Sequence, residues 1–296
     1  MGRDPSVIRR ALAAAALGLV TAGAVACGGE TAAPGTAGAF TDGGSTASPA
    51  PERSRLSPAA PAAGAAIAAS PASAAARPLA GKVIVIDPGH NGNNWRAPEK
   101  INKKVNAVTM WKPCDTTGTT TNDGYPESAF AWDVATRLAK LLRAQGATVK
   151  LTREDNKGVG PCITERAAIA NRAKADASIS IHADGAGQGT RGFHVIVPKK
   201  INGPVDPVVG DSLRLGVAIR NAVREVTGLP YANYIGKNGI DRRGDLGGLN
   251  LSTVPKVFLE TGNMRNPTDA RKMKDPAFRQ RLAEALAKGL RDYLSR

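Results

Sequence analysis

Aromatic side chains are few: three Trp, four Tyr and five Phe make up 4% of the 296 residues. So thin a supply leaves no stacking platform for bases, and nucleic-acid binding is not expected despite a formal net charge of +15. Cysteine and histidine are limited to three each, so an imidazole site must be drawn from His90, His182 and His194. No apolar run reaches the ~20 residues that a membrane span needs, and the nearest, at 11–26, is short and mostly alanine. No internal repeat is visible, so a repeat architecture is not expected.

The first eighty residues hold two kinds of segment. Arg3, Arg9 and Arg10 precede the apolar run, which ends Ala24-Val25-Ala26 before Cys27, as export signals do. Residues 1–26 are therefore expected to be removed. Small residues before a cysteine also mark lipoprotein signals, in which Cys27 would be acylated, although Ala24 stands where such signals prefer leucine. Lipid anchoring and plain secretion both stay open, and either places the chain outside the cytoplasm, in the periplasm, the cell wall or the extracellular space. Of the 54 residues in 28–81, 44 are Ala, Gly, Pro, Ser or Thr. That leaves too little large apolar surface to offset chain ordering, and 27–81 reads as a disordered linker.

Residues 82–296 remain as one domain. Residues 1–81 carry six basic and four acidic side chains, so the domain keeps 34 basic against 21 acidic, a net +13. A basic exported surface meets anionic envelope polymers and lipid first. With Cys27 in the leader, Cys114 and Cys162 are an even pair in an oxidising compartment, and a disulfide between them is expected.

Strands alternate with helices along the domain. The run 83–86 (VIVI) is apolar throughout, the mark of a strand buried on both faces of a parallel sheet. Asp87, Pro88 and Gly89 stop it and leave His90 just past its carboxyl end, where open α/β sheets carry ligands. Residues 91–126 show no sustained period and read as a loop or hairpin over the site, an ordered lid if the disulfide forms. Phe130, Val134, Leu138 and Leu142 then recur at helical spacing, with Glu127 at the helix start and Gly146 as the stop. A strand is predicted at 148–151, a helix at 164–174, and a strand in which Ile179 and Ile181 alternate with serines before His182. Further strands fall at 192–197 and 256–260, and helices at 208–227 and from Asp275-Pro276 onward. Residues 231–249, glycine-rich and charged, read as a surface loop near the cleft. The result is an α/β fold of three layers, αβα, with a mostly parallel central sheet. No further module is expected after the last helix.

Four residues stand at strand ends or a helix start that such a sheet brings to one rim: His90, Glu127, His182 and Glu260. Two histidines and one carboxylate make a catalytic zinc shell with one position open, and a second carboxylate, Glu260, can move the proton as general base and then acid. The bland readings are a packed or surface histidine, a helix-start carboxylate at Glu127 and a salt-bridged Glu260. Glu99 in the loop is a rival ligand. His194 lies inside a strand and is expected to be structural.

The blocks VIVIDPGHNG, the Glu127 helix running into VKLTRED, RAAIANRAKADASISIHADG, RGFHVIVP and VPKVFLETGNMRNPTDARKMKDPAFRQRLAEALAKGL resemble the zinc-dependent N-acetylmuramoyl-L-alanine amidases of bacterial cell walls. The likeness is nearest to single-domain actinobacterial, mycobacterial-type members that carry a cysteine pair. It implies one zinc ion held by His90, Glu127 and His182 at the carboxyl ends of the strands, with Glu260 as the catalytic carboxylate. The implied reaction is hydrolysis of the amide between the lactyl group of N-acetylmuramic acid and L-alanine of the stem peptide, with peptidoglycan and its muropeptide fragments as substrate. Asn91 stands where glycine is usual and His194 where glutamate is common, so local substrate contacts are expected to differ.

Arg242, Arg243 and Arg265 are candidates for stem-peptide carboxylates, and Asp87 or Asp184 for orienting a ligand histidine. A monomer is expected, with membrane contact only through a lipid at Cys27. Two other classes compete: a non-catalytic wall-binding regulator, and a different zinc hydrolase acting on wall peptides or on glycan acetyl groups.

Overall fold

The computed structural model describes residues 77–295. The expected signal, 1–26, and the linker up to residue 76 lie outside them. Packing starts ahead of Lys82: Leu79 is fully buried in the main core and its amide donates to the Gln145 carbonyl.

Among the described residues there are eight strands: β1 (Val83–Pro88), β2 (Lys104–Asn106), β3 (Trp111–Pro113), β4 (Thr148–Leu151), β5 (Ala177–Asp184), β6 (His194–Pro198), β7 (Ile240–Arg243) and β8 (Lys256–Asn263). The helices are α1 (Pro98–Ile101), α2 (Glu127–Ala144), α3 (Ile163–Arg172), α4 (Val209–Thr227), α5 (Gly247–Asn250), α6 (Pro267–Lys274) and α7 (Pro276–Leu294). Six strands form the central sheet in the order β4-β1-β5-β8-β6-β7. The pairs β4/β1, β1/β5, β5/β8 and β6/β7 are parallel and only β6/β8 is antiparallel. The expected α/β class with a mostly parallel sheet is what the chain adopts. Among the described residues no helix is long and apolar enough to cross a membrane.

The two faces of this sheet differ. Side chains alternate across a strand, and Ile84, Ile86, Ile179, Ile181, Val195, Val197, Val257 and Leu259 all join one core with the apolar stripes of α2, α4 and α7. Val85 points the other way, into a small cluster with Ala170 and Ala175 under α3. The same alternation puts Asp87, Ser180, His182, Lys256, Phe258, Glu260 and His194 on that second, thinly covered face. The serines that interleave with isoleucine in β5 are thus polar positions facing the site.

Two segments, 231–249 and helix α6, depart from the expectation, and a third, 91–126, meets it. Residues 231–249 carry strand β7 and helix α5; β7 is an edge strand with a single apolar residue, Ile240, and no alternation to announce it. The 91–126 segment is ordered, with a 3-10 turn at Asn94–Arg96, α1 and the β2/β3 hairpin. Helix α6, short and polar, is capped by Asn266, whose side chain accepts from the Thr268 and Asp269 amides.

Candidate metal centre and its cleft

His90 leaves β1 in a tight turn with φ +57°. Two buried arginines hold that turn. Arg153 donates to the carbonyls of Pro88 (3.0 Å) and Gly89 (3.3 Å). Arg166 donates to those of Pro88 (2.8 Å), His90 (2.9 Å) and Pro161 (2.9 Å), and to the carboxylates of Asp87 (2.8 Å) and Asp115 (3.0 Å). All five guanidinium donors of Arg166 are therefore matched.

The imidazole of His90 is oriented from the loop: Nδ1 lies 3.1 Å from the Thr116 carbonyl and 3.4 Å from Asp115 Oδ1, which leaves Nε2 facing Glu127 Oε2 at 3.2 Å. Glu127, in the first turn of α2, turns its other oxygen to His182 Nδ1 (2.9 Å) and to the Ala183 amide (3.1 Å). The His182 ring stacks on Phe258, centroids 5.3 Å apart and planes at 10°. Gly89 and Gly118 are required here for space. A Cβ on Gly89 would come within 2.3 Å of the His182 ring, and one on Gly118 within 2.7 Å of His90 and 2.8 Å of Glu127.

His90, Glu127 and His182 each offer a donor atom, all within 4.8 Å of one another. A tetrahedral zinc ion with bonds near 2.0–2.2 Å would set its donors roughly 3.3 Å apart, and the two short spacings seen, 2.9 and 3.2 Å, need little adjustment. Charge points the same way. Burial alone would raise the Glu127 pKa, but His90 and His182 hold it well below the ordinary carboxylate range. Burial would depress the His90 imidazolium, yet Glu127 and Asp115 push its pKa up to about 10. Two imidazoles and a carboxylate at this spacing are the donor set of a zinc shell, so these residues fit a divalent metal.

Glu260 is paired in register with His182 on one side and His194 on the other. It lines the same cleft as His90, Glu127, His182 and Arg243. Its Oε2 is buried without a hydrogen-bond partner. Burial, reinforced by Asp184 and Glu127, pushes its pKa well above the usual value, so it holds a proton more readily than an ordinary carboxylate.

The other expected residues are placed as follows. Glu99 is exposed on α1 in a surface groove with Arg96 and Lys100, away from the cluster. Arg243 is at the cleft, its guanidinium held by both oxygens of Asp245 (2.8 and 2.6 Å). Arg242, its neighbour on β7, lines a groove with Leu213 and Val217 of α4 instead, because adjacent strand residues face opposite ways. Arg265 reaches Asn122 (3.4 Å) and does not line the cleft.

Neither Asp87 nor Asp184 orients a ligand histidine. Asp87 is consumed by Thr152, Ser180, Arg166 and Lys256. Asp184 accepts from the Tyr234 hydroxyl (2.6 Å) and lies 3.7 Å from His194 Nδ1. His194 is buried beside Glu260 rather than part of the metal cluster. Asn91 turns away from the cleft and donates to the Gly160 carbonyl (2.9 Å). Asp115, Thr116, Arg166 and Phe258 had no sequence pattern to reveal their part. The one available hint was that Asp115 follows a disulfide cysteine: Cys114 and Cys162 are bonded, with Cα atoms 4.4 Å apart, which sets Asp115 against the start of α3.

An α/β domain with a two-histidine, one-carboxylate cluster at the rim of its sheet is thus the class defined by fold and geometry. A family model described as N-acetylmuramoyl-L-alanine amidase matches residues 84–292, and the chain belongs to that family. It is 40% identical over 228 residues to the N-acetylmuramoyl-L-alanine amidase Rv3717 of Mycobacterium tuberculosis, covering 76% of this chain and 92% of that protein. Among solved structures it is similar to the N-acetylmuramyl-L-alanine amidase Ami1 of Mycobacterium smegmatis, with a TM-score of 0.69, 39% identity, and coverage of 73% of this chain and 98% of that one. The apo form of Ami1 from Mycobacterium abscessus matches with a TM-score of 0.68, 41% identity, and coverage of 73% and 100%.

Proposed function

We propose that this protein is an exported peptidoglycan hydrolase, a zinc-dependent amidase that cleaves the bond between the lactyl group of N-acetylmuramic acid and L-alanine of the stem peptide. The observation that carries the reading is a carboxylate, Glu260, whose Oε2 is buried without a partner, in the same cleft as a three-donor cluster that could hold a metal ion. His90 through Nε2, His182 through Nδ1 and Glu127 through its carboxylate would hold the zinc. When bound, that ion supplies Lewis acidity toward the scissile carbonyl and toward a water at neutral pH.

Glu260 does the proton work. From its place in the cleft it can take the proton of the attacking water and then deliver it to the departing nitrogen. Asp115 and the Thr116 carbonyl keep the His90 ring in one orientation. Arg243 lines the cleft and is held by Asp245, which supports it as the arginine that meets a stem-peptide carboxylate. Export by residues 1–26, a linker over 27–81, and a monomeric domain complete the proposal, with a lipid at Cys27 as the sole membrane contact where acylation replaces simple cleavage.

Purified muropeptides digested with the zinc-loaded protein test it. Free L-alanine amino termini and intact N-acetylmuramic acid are expected. Cut cross-links would make the protein a peptidase, released acetate a deacetylase, and no product with bound zinc a non-catalytic wall binder.

A further inference from the structure

Glu260 stands between two imidazoles. It pairs in register with His182 of β5 on one side and His194 of β6 on the other, and the three side chains share the thinly covered face of the sheet. Directly opposed residues of an antiparallel pair such as β6/β8 keep their Cβ atoms about 4.5–5.5 Å apart, so the His194 ring packs beside the Glu260 carboxyl group. Both are short of partners. His194 is 1% exposed with no hydrogen bond to Nδ1, and Glu260 Oε2 is buried and equally unmatched. Other donors near Glu260 are engaged: the Tyr234 hydroxyl is given to Asp184 Oδ2 (2.6 Å), and Arg243 turns Nε and Nη2 to Asp245. Orphaned polar atoms forfeit hydration without gaining a bond, so on packing alone an aliphatic residue would suit position 194 better.

We propose that His194 is a positioning residue for Glu260: its ring donates an Nε2 proton to Oε2 and so fixes the carboxyl group with its other oxygen toward the metal cluster. The inference rests on the amidase reading for the reaction that this serves. Burial lowers the His194 pKa against the pull of Asp184 and Asp241, which keeps the ring neutral with one N–H to give. The surroundings choose the nitrogen. Asp184 Oδ2 lies 3.7 Å from Nδ1, beyond hydrogen-bond reach, and already accepts from Tyr234. A proton on Nδ1 would therefore be stranded, whereas one on Nε2 meets the acceptor that lacks a donor. The Tyr234 ring, edge-on to the imidazole with centroids 6.2 Å apart, limits its rotation. A carboxyl group held this way takes the proton of the attacking water on its free oxygen and gives it to the departing nitrogen from the same oxygen, and His194 keeps its own proton throughout.

NMR of the histidine ring nitrogens in the zinc-loaded protein reads this hydrogen bond without turnover. The His194 signals, assigned by their loss in His194→Leu, are expected to show a neutral ring protonated on Nε2 and to shift in Glu260→Ala. A proton on Nδ1, or signals unmoved in Glu260→Ala, would overturn the proposal. His194→Leu is expected to keep its zinc and a urea midpoint no lower than wild type. Its kcat should fall roughly 10–100-fold, a fraction of the about 10²–10⁴-fold that a positioned proton carrier supplies, with KM within about twofold of wild type. His194→Gln, which restores an N–H donor, should recover most of that loss. Wild-type kcat in His194→Leu, or a loss that tracks a lowered midpoint and is not recovered by glutamine, would assign His194 to the fold alone. A wild-type protein that releases no L-alanine termini would end the amidase reading and leave the NMR result to decide the His194–Glu260 bond by itself.

Discussion

At the scale of single residues, the proposed site divides into groups that would hold a cation, a group that would move a proton, and groups that orient the first two. Glu260→Gln keeps the shape and removes the proton carrier. It is expected to lower turnover by roughly 10²–10⁴-fold with zinc retained, read by L-alanine termini released per minute; turnover within threefold of wild type removes Glu260 from the chemistry. Arg166 acts at one remove. Its donors span the His90 carbonyl and Asp115, and Asp115 faces the His90 ring. Arg166→Lys keeps the charge but offers three donors in place of a five-donor fork, and is expected to weaken zinc binding about 10–100-fold. Chelator competition measures this, and an unchanged affinity would assign Arg166 to stability alone. Of the four proposed site residues, His182 and Glu260 close apolar strands and His90 follows one after a three-residue turn, which makes them conspicuous, whereas Glu127 follows a polar stretch and stands out only as a helix-start carboxylate. Asp115 and Arg166 were not legible, since they meet through space across a disulfide and neither sits in a pattern that chain order reveals.

At the scale of elements, one carboxylate ties the sheet together beneath the site. Asp87 of β1 accepts from Thr152 just after β4 (2.6 Å), Ser180 of β5 (2.6 Å), Lys256 of β8 (3.3 Å) and Arg166 of α3 (2.8 Å). Burial would raise its pKa, but Lys256 and Arg166 hold it well below the ordinary value. A depressed carboxylate contributes stability above its unfolded pKa of about 3.9, and the contribution is lost as pH falls through the folded value. Asp87→Asn strands two buried cations and is expected to cost about 3–5 kcal/mol at pH 7. In urea melts the gap between variant and wild type should close below pH about 4; a gap independent of pH would show that Asp87 does not act through its charge. The elements around this network were read from periodicity with good fidelity where one face was apolar, as in α2, α7 and β5. Edge strand β7 and helix α6 escaped because both are short and polar and draw their order from the neighbours they pack on.

At the scale of the molecule, charge and the two-faced sheet set how the protein meets its substrate. The large core lies on one face, and the site occupies the other, where fewer helices cover it. Residues 82–296 carry a net +13, so attraction to an anionic wall should raise the local enzyme concentration on polymer and be screened by salt. Activity on polymeric wall is expected to fall several-fold between 50 and 500 mM salt, where the Debye length shrinks to roughly 4 Å, and activity on a small soluble muropeptide to fall much less. Equal salt dependence for both would deny the charge any part in wall binding.

Zinc bound per chain, measured by elemental analysis after exhaustive dialysis, tests the central claim most directly. Wild type and Glu260→Ala should each retain one zinc ion, and His90→Ala and His182→Ala should retain none. Full zinc in either histidine variant, or its loss from Glu260→Ala, would contradict a centre built from His90, Glu127 and His182.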